Sequence, residues 1–307
     1  MKALVLGGGG FIGSHIVDQL VNSGHMVRVF SKTNESFRKP LSGVEYICEK
    51  FENTQALAES LNDVDVVFHS ISSSVPSTSN IDPVSDVSVN LIGTINLLNL
   101  MRKMSVKKIV YLSSGGVVYG RPEIMPIPET HPLRPICSYG VVKVAIENYL
   151  FMYNQLYEID YVVIRGANAY GERQSNVGLQ GLIGSYMNNI INGQPVEIWG
   201  DGNVIRDYIY VGDLAALSVL AAESKSVGVF NAGSGEGHSI NFIVKTLAEV
   251  TGREIKPVYR PGRKYDVPYV TLDIERAKRV YSWIPKVSLF EGVNRTWKWF
   301  EENYGYN

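Results

Sequence analysis

The stretch KALVLGGGGFIGSHIVDQLVNSG, residues 2–24, decides the fold. Ala3 to Leu6 is a continuous apolar run, as expected of a strand buried on both faces. After the glycines, Ile16, Val17, Leu20 and Val21 recur at helical spacing, and Gly24 fits a helix stop. HMVRVF, residues 25–30, resumes as a strand. Strand, glycine turn, helix and strand make a βαβ unit. Gly8-x-Gly10-x-x-Gly13 lies between the strand and the helix, and Gly7-x-x-Gly10-x-x-Gly13 fits as well. Glycine permits the tight turn and lets the backbone approach a pyrophosphate, to which the helix N-terminus offers free N–H groups and the positive dipole end. A glycine pattern alone is also what a plain tight turn uses; the strand–turn–helix context favours a dinucleotide.

The same alternation continues outward. VEYIC (44–48) reads as strand, TQALAESL (54–61) as helix, DVVFHS (65–70) as strand, VNLIGTINLLNLMRKM (89–104) as helix and KKIVYLSS (107–114) as strand. This order predicts an α/β protein with a Rossmann-type doubly wound parallel sheet and right-handed crossovers. RPEIMPIPETHPLRP (121–135), with five prolines in 15 residues, reads as an ordered loop. The helix SYGVVKVAIENYLFMYNQLY (138–157) and the strand DYVVIRG (160–166) follow. Beyond Arg165 the pattern loosens. The expected division is a nucleotide-binding domain over 1–165 and a smaller C-terminal α/β substrate-binding region over 166–307, with 206–225 packing back on the first.

Composition narrows the function. Of 307 residues 45% are hydrophobic and 19% charged, with a formal net charge of −1. No basic excess points to nucleic acid and no polybasic tract to an anionic membrane. No run of 18 apolar residues reads as a membrane span. Cys48 and Cys137, the only cysteines, are too few for a disulfide framework, and the five histidines form no visible metal cluster. The apolar run that begins the chain stops after Leu6, too short for a signal peptide. A cytoplasmic location with reduced thiols is expected.

Tyr139 and Lys143 stand four residues apart in a helical segment and therefore share a face. A tyrosine has an ordinary pKa near 10 and is a poor base at neutral pH. A neighbouring ammonium and a cationic nicotinamide favour the phenolate. Such a phenol can exchange a proton with a substrate hydroxyl while a nicotinamide takes the hydride. Y-x-x-x-K is common by chance, and a packed Tyr beside an exposed Lys is the plain alternative; the upstream glycine motif gives the pair its meaning. An acidic residue about 20 positions beyond the glycines would bind the adenosine ribose. Ser31 and Lys32 occupy that place. Lys32 or Arg38 could meet a 2′-phosphate, or Lys32 could be a solvated surface charge, which leaves NAD and NADP both open.

The chain resembles the extended short-chain dehydrogenase/reductase family of sugar-nucleotide epimerases and dehydratases. GGGGFIGSH, VNLIGTINLL, SSGGVVYG, SYGVVK, IRGANAYG, IWGDGNVIRDYIYVGDLA and RKYDVP carry the resemblance, in the family's order and over nearly the whole chain. It is most similar to the nucleotide-sugar 4-epimerases of the UDP-galactose 4-epimerase type. The resemblance implies a cofactor site of Gly7, Gly10, Phe11, Ile12, Gly13, Ser31, Lys32 and Asn90 with Tyr139 and Lys143. It implies Tyr139 as base and Lys143 on the nicotinamide ribose. Asn168, Arg206 and Arg263 would contact the diphosphate region, Trp199 would lie against a uracil, and Val270 would stand at the gate that limits sugar size. An arginine suits forked bonding to phosphate and an indole offers a flat stacking face; equally, Trp199 could be core and Asn168 a turn residue.

Three departures matter. The family's substrate-binding Ser or Thr, three places before the V-Y-G triplet, falls on Gly115, and Ser114 is the candidate substitute. Lys50 stands where an Asp often contacts adenine. Gly116 and Val117 replace the Asp-Glu pair of the family's dehydratases, so the acid and base of an elimination are missing. A 4-epimerase with retained NAD and a UDP-linked sugar, N-acetylated or not, needs less. An NADPH-dependent 4-reductase and a non-catalytic nucleotide-binding protein are the alternatives. A homodimer is expected, because Ile92, Ile95, Leu98, Met101, Val142, Ile146, Tyr149 and Tyr153 make two helices apolar on more than one face.

Overall fold

The computed structural model describes residues 1–174, 181–262 and 267–305. Its main sheet is built from β1 (Lys2–Leu6), β2 (Met26–Ser31), β3 (Val44–Cys48), β4 (Val66–His69), β5 (Lys108–Ser114) and β6 (Asp160–Gly166). The order is β3-β2-β1-β4-β5-β6, with the later strand Gly228–Ala232 beside β6, and every pairing is parallel. Strand order reverses between β1 and β4. Ligands of such sheets bind outside the carboxyl ends of the strands at that reversal, where the glycine turn and the Ser-rich loop 70–74 lie side by side.

Both faces are covered, so the strands alternate between two cores. Val5, Phe68 and Val110 face Ile16, Val17 and Leu20 of the helix Phe11–Asn22 together with Leu214 and Leu217 of the helix Val211–Glu223. Leu4, Leu6 and Ile109 face Leu97, Leu98 and Met101 on one helix and Val142, Ile146 and Leu150 on another. Burying each such side chain fully stabilises the fold by roughly 1.5–3 kcal/mol. The expected return of 206–225 is seen in the packing of Val211–Glu223 against Phe11–Asn22. The sheet goes further and takes in Gly228–Ala232, a stretch inside the expected second region.

The remaining chain forms a smaller unit. Ile205–Tyr210 pairs with Asn168–Tyr170, Gly237–Ser239 and Tyr269–Val270. Met187, Ile243, Leu247, Trp297 and Phe300 make its core.

One helix differs from expectation in its extent. The segment read as starting at Val89 begins at Pro83, where the Asp82 carboxylate accepts from the Ser85 N–H at 3.0 Å, and it carries a π-helical stretch over Val87–Ile92. Over Pro83–Lys103 it is long and apolar enough, by length and composition, to cross a membrane. Thr94, Leu97, Leu98 and Met101 are nevertheless packed against the sheet. The Ser138–Tyr157 helix lies where expected. Of the residues thought to face a partner, Leu98, Met101, Val142, Ile146 and Tyr153 are buried within the chain. Apolar side chains that do point outward on these two helices include Ile92, Val141, Phe151, Met152 and Leu156.

Candidate active site

The glycine turn is built for close approach. Gly7 has φ +82°, and its carbonyl accepts from the Gly10 N–H at 2.9 Å. A Cβ on Gly13 would overlap the Gly7 carbonyl oxygen, and one on Gly8 would lie 2.9 Å from Val29 Cγ1. Only glycine lets the helix start this near the strand. Gly10 caps the helix without a side chain, and its first turn holds no acidic residue. The leading N–H groups and the dipole are thus left to an anion, and the turn fits the pyrophosphate of a dinucleotide. Ser31 and Thr33 stand over it, since a Cβ on Gly9 would lie 3.0 Å from Ser31 Oγ and 3.1 Å from the Thr33 carbonyl oxygen. Lys32 beside them is exposed.

A cavity of about 690 Å³ opens from this turn. Phe11, Ile12, Ser114, Tyr139, Asn168, Arg206 and Val270 all line it. Residues far apart in the chain are therefore brought to one place. Pro76, Ser77, Asn80, Cys137 and Gln174 also line it and were not anticipated. Pro76 to Asn80 lie in a polar loop after β4, a type of loop that carries ligands at a carboxyl sheet edge; for Gln174 the sequence holds no signal.

Tyr139 is held by its helix. A Cβ on Gly140 would lie 2.7 Å from Pro135 Cβ, so this glycine lets the helix start press against the preceding loop. Tyr139, Lys143 and Glu147 follow at four-residue spacing, and all three are buried. Lys143 Nζ donates to the Leu112 carbonyl at 2.8 Å and sits 5.4 Å from the Tyr139 ring centre. Burial lowers the Lys143 pKa to about 8, against the opposing pull of Glu147 and Asp86.

The expected lowering of the phenol's pKa by Lys143 is not found in the protein alone. Burial raises the Tyr139 pKa well above its ordinary value, Cys137 and Asp86 add to that, and a hydrogen bond with the Ser72 side chain works the other way. The reason is position: the ammonium is turned to a strand carbonyl, and burial of the phenol outweighs the rest.

The C-terminal end of β5 bears on the missing hydroxyl. A Cβ on Gly115 would lie 2.5 Å from Leu272 Cδ1, so a Ser or Thr does not fit there without repacking. Ser113 is occupied, its hydroxyl donating to Glu147, which in turn pairs with Arg165 at 2.6 Å. Ser113 and Ser114 both line the cavity; with the Ser113 hydroxyl given to Glu147, Ser114 is the candidate at this strand end.

Other anticipated residues make structural hydrogen bonds, whether or not they line the cavity. Asn90 accepts from the Ser73 N–H at 3.0 Å and donates to Asp86 at 2.8 Å, pinning the loop after β4 rather than lining the cavity. Asn168 Nδ2 donates to the Asp207 carbonyl at 2.9 Å, and Arg206 Nη1 to the Val267 carbonyl at 2.6 Å. Trp199 ends the short strand Glu197–Trp199, partly exposed and outside the cavity lining. Arg263 lies outside the described residues.

Residues 3–233 match the NAD dependent epimerase/dehydratase family. The chain is 36% identical over 302 residues to a putative UDP-glucose 4-epimerase of Methanocaldococcus jannaschii, covering 98% of each. Its fold is similar to that of the UDP-glucose 4-epimerase of Thermotoga maritima with UDP-glucose, with a TM-score of 0.93 and 37% identity over 98% of this chain and 99% of that one. It is also similar to the Thermus thermophilus UDP-glucose 4-epimerase complex with NAD, with a TM-score of 0.91 and 34% identity over 99% of this chain and 100% of that one.

Proposed function

The chain belongs to the NAD-dependent epimerase/dehydratase family as a sugar-nucleotide epimerase, and from that premise we propose that it inverts C4 of a UDP-hexose or UDP-N-acetylhexosamine with its NAD retained. The observation that carries this reading is the convergence of Ser114, Tyr139, Asn168 and Arg206 with the glycine-turn residues Phe11 and Ile12 on one cavity. Bound NAD would rest on Gly7 to Gly13 and supply the hydride acceptor and donor. Tyr139 takes the proton of the sugar's 4-hydroxyl and later returns it. Its buried phenol needs a cationic ring nearby to ionise, which ties proton transfer to the loaded enzyme. Ser114 orients the hydroxyl. Lys143, held by Leu112, presents its remaining N–H groups to the cofactor's ribose. Asn168 and Arg206, which line the cavity, would meet the diphosphate.

The sugar end is roomy. Val270 is a small side chain at the cavity wall, and a Cβ on Gly116 would meet nothing closer than Ser114 Oγ at 4.0 Å. This favours acceptance of an N-acetyl group. The test is conversion of UDP-glucose and UDP-N-acetylglucosamine, without added nucleotide, followed by chromatography of the sugar nucleotides. Formation of the 4-epimer of either supports the reading; conversion of neither, by protein that contains NAD, rejects it. We propose further that the outward side chains Ile92, Val141, Phe151, Met152 and Leu156 meet those of a second copy.

A further inference from the structure

An acidic side chain at the end of the second strand binds the adenosine ribose and, by its charge, repels a 2′-phosphate. Here β2 ends at Ser31 and is followed by Lys32, Thr33 and Asn34, so the segment standing over Gly9 carries no carboxylate. The adjacent strand adds another cation. Ser31 pairs with Cys48, the Glu49 N–H donates to the Ser31 carbonyl at 2.9 Å, and Lys50 follows, exposed. Of the neighbouring carboxylates, Asp18 and Glu49 are hydrogen-bonded, whereas Glu35 is buried with neither oxygen hydrogen-bonded. Asp18 pairs with Arg38 and, at 2.7 Å, with Arg173. Glu35, its side chain fully buried, lies 3.5 Å from Arg38 Nε. Glu49 accepts from the Lys50 N–H at 3.1 Å and from Asn53 Nδ2 at 3.2 Å. Lys32 has no ion pair among the described residues.

We propose that the adenosine pocket takes a 2′-phosphorylated dinucleotide as well as NAD, with the Ser31 hydroxyl and the Lys32 ammonium meeting the 2′-phosphate. A serine hydroxyl donates equally well to a ribose oxygen or a phosphate oxygen. An exposed lysine adds a point charge of modest worth, so tolerance of both nucleotides follows rather than selection of one. The inference rests on dinucleotide binding at the glycine turn and is independent of the sugar chemistry.

The test reads bound nucleotide, not turnover. Purified protein is incubated with NAD and NADP at equal concentration until the bound ratio is constant, then separated from free nucleotide and denatured, and the released nucleotides are quantified. Wild type should yield both, within ~10-fold of each other. Ser31→Asp should lower the NADP-to-NAD ratio by ~10-fold or more, and Lys32→Ala should lower it by a smaller factor, with NAD still bound in each. Recovery of NADP below about a hundredth of NAD from wild type, or an unchanged ratio in both variants, would overturn the proposal; recovery of neither nucleotide would remove the cofactor site and the proposal together.

Discussion

At the residue scale the chemistry turns on Tyr139, Ser114 and Lys143. Tyr139→Phe removes one oxygen from a buried ring and leaves its packing in place. The bound cofactor should survive, while turnover falls by ~100–10,000-fold, the usual worth of a positioned general base. Ser114→Ala should cost less, because that hydroxyl orients and does not ionise. Steady-state kinetics on both variants gives the order, and a dead Ser114→Ala beside a near-normal Tyr139→Phe would reject the base assignment. Lys143 makes a separate prediction through pH. Its folded pKa, about 8, lies below its ordinary 10.5. Below pH 8 the ammonium is charged in both states and its burial opposes folding in full. Between 8 and 10.5 only the unfolded chain keeps the proton, so rising pH favours the fold. Lys143→Met abolishes this dependence. Denaturant titrations should therefore show wild type gaining on the variant, by an amount on the order of 3 kcal/mol across that window; parallel stability curves would place the Lys143 pKa elsewhere.

At the scale of elements the site depends on how closely a helix can approach a strand. Gly13 lies against the Gly7 carbonyl, so Gly13→Ala must push the Phe11–Asn22 helix off the turn. Overpacking of this kind costs ~1–3 kcal/mol, and the N–H groups that would hold the pyrophosphate move with the helix. The protein should fold yet purify with little nucleotide, which acid extraction and absorbance will read. Normal NAD content in Gly13→Ala would mean that the turn does not hold the pyrophosphate. The start of the Ser138–Tyr157 helix obeys the same logic through Gly140 and Pro135. Asp86 joins three elements there, accepting from Ser74, Asn90 and Ser138 at 2.7–2.8 Å beside a π-helical stretch. Such stretches often accompany functional sites.

The whole molecule presents an outward apolar surface on two neighbouring helices. Phe151 and Leu156 are more than half exposed, at 54% and 61%. Two copies meeting across a two-fold axis would bury both sets. Light scattering at micromolar concentration should report twice the chain mass, and Phe151→Glu with Leu156→Glu should halve it. A monomeric wild type would end the dimer reading.

Local pattern was sufficient for the backbone order. Apolar runs, the glycine turn and the four-residue spacing of Tyr139 and Lys143 depend on neighbours in the chain, and they predicted strands β1 to β6, the Ser138–Tyr157 helix and the cofactor family. The tertiary structure alone decided what each side chain meets. Leu272 would have to repack to admit a side chain at position 115, and Glu147 occupies the Ser113 hydroxyl, which favours Ser114 at the cavity. The Leu112 carbonyl takes the Lys143 ammonium, and desolvation rather than that cation governs the Tyr139 phenol. Gly228–Ala232 joins the main sheet beside β6 although about sixty residues separate them. Burial and electrostatic field arise from residues distant in sequence, and no local periodicity encodes them.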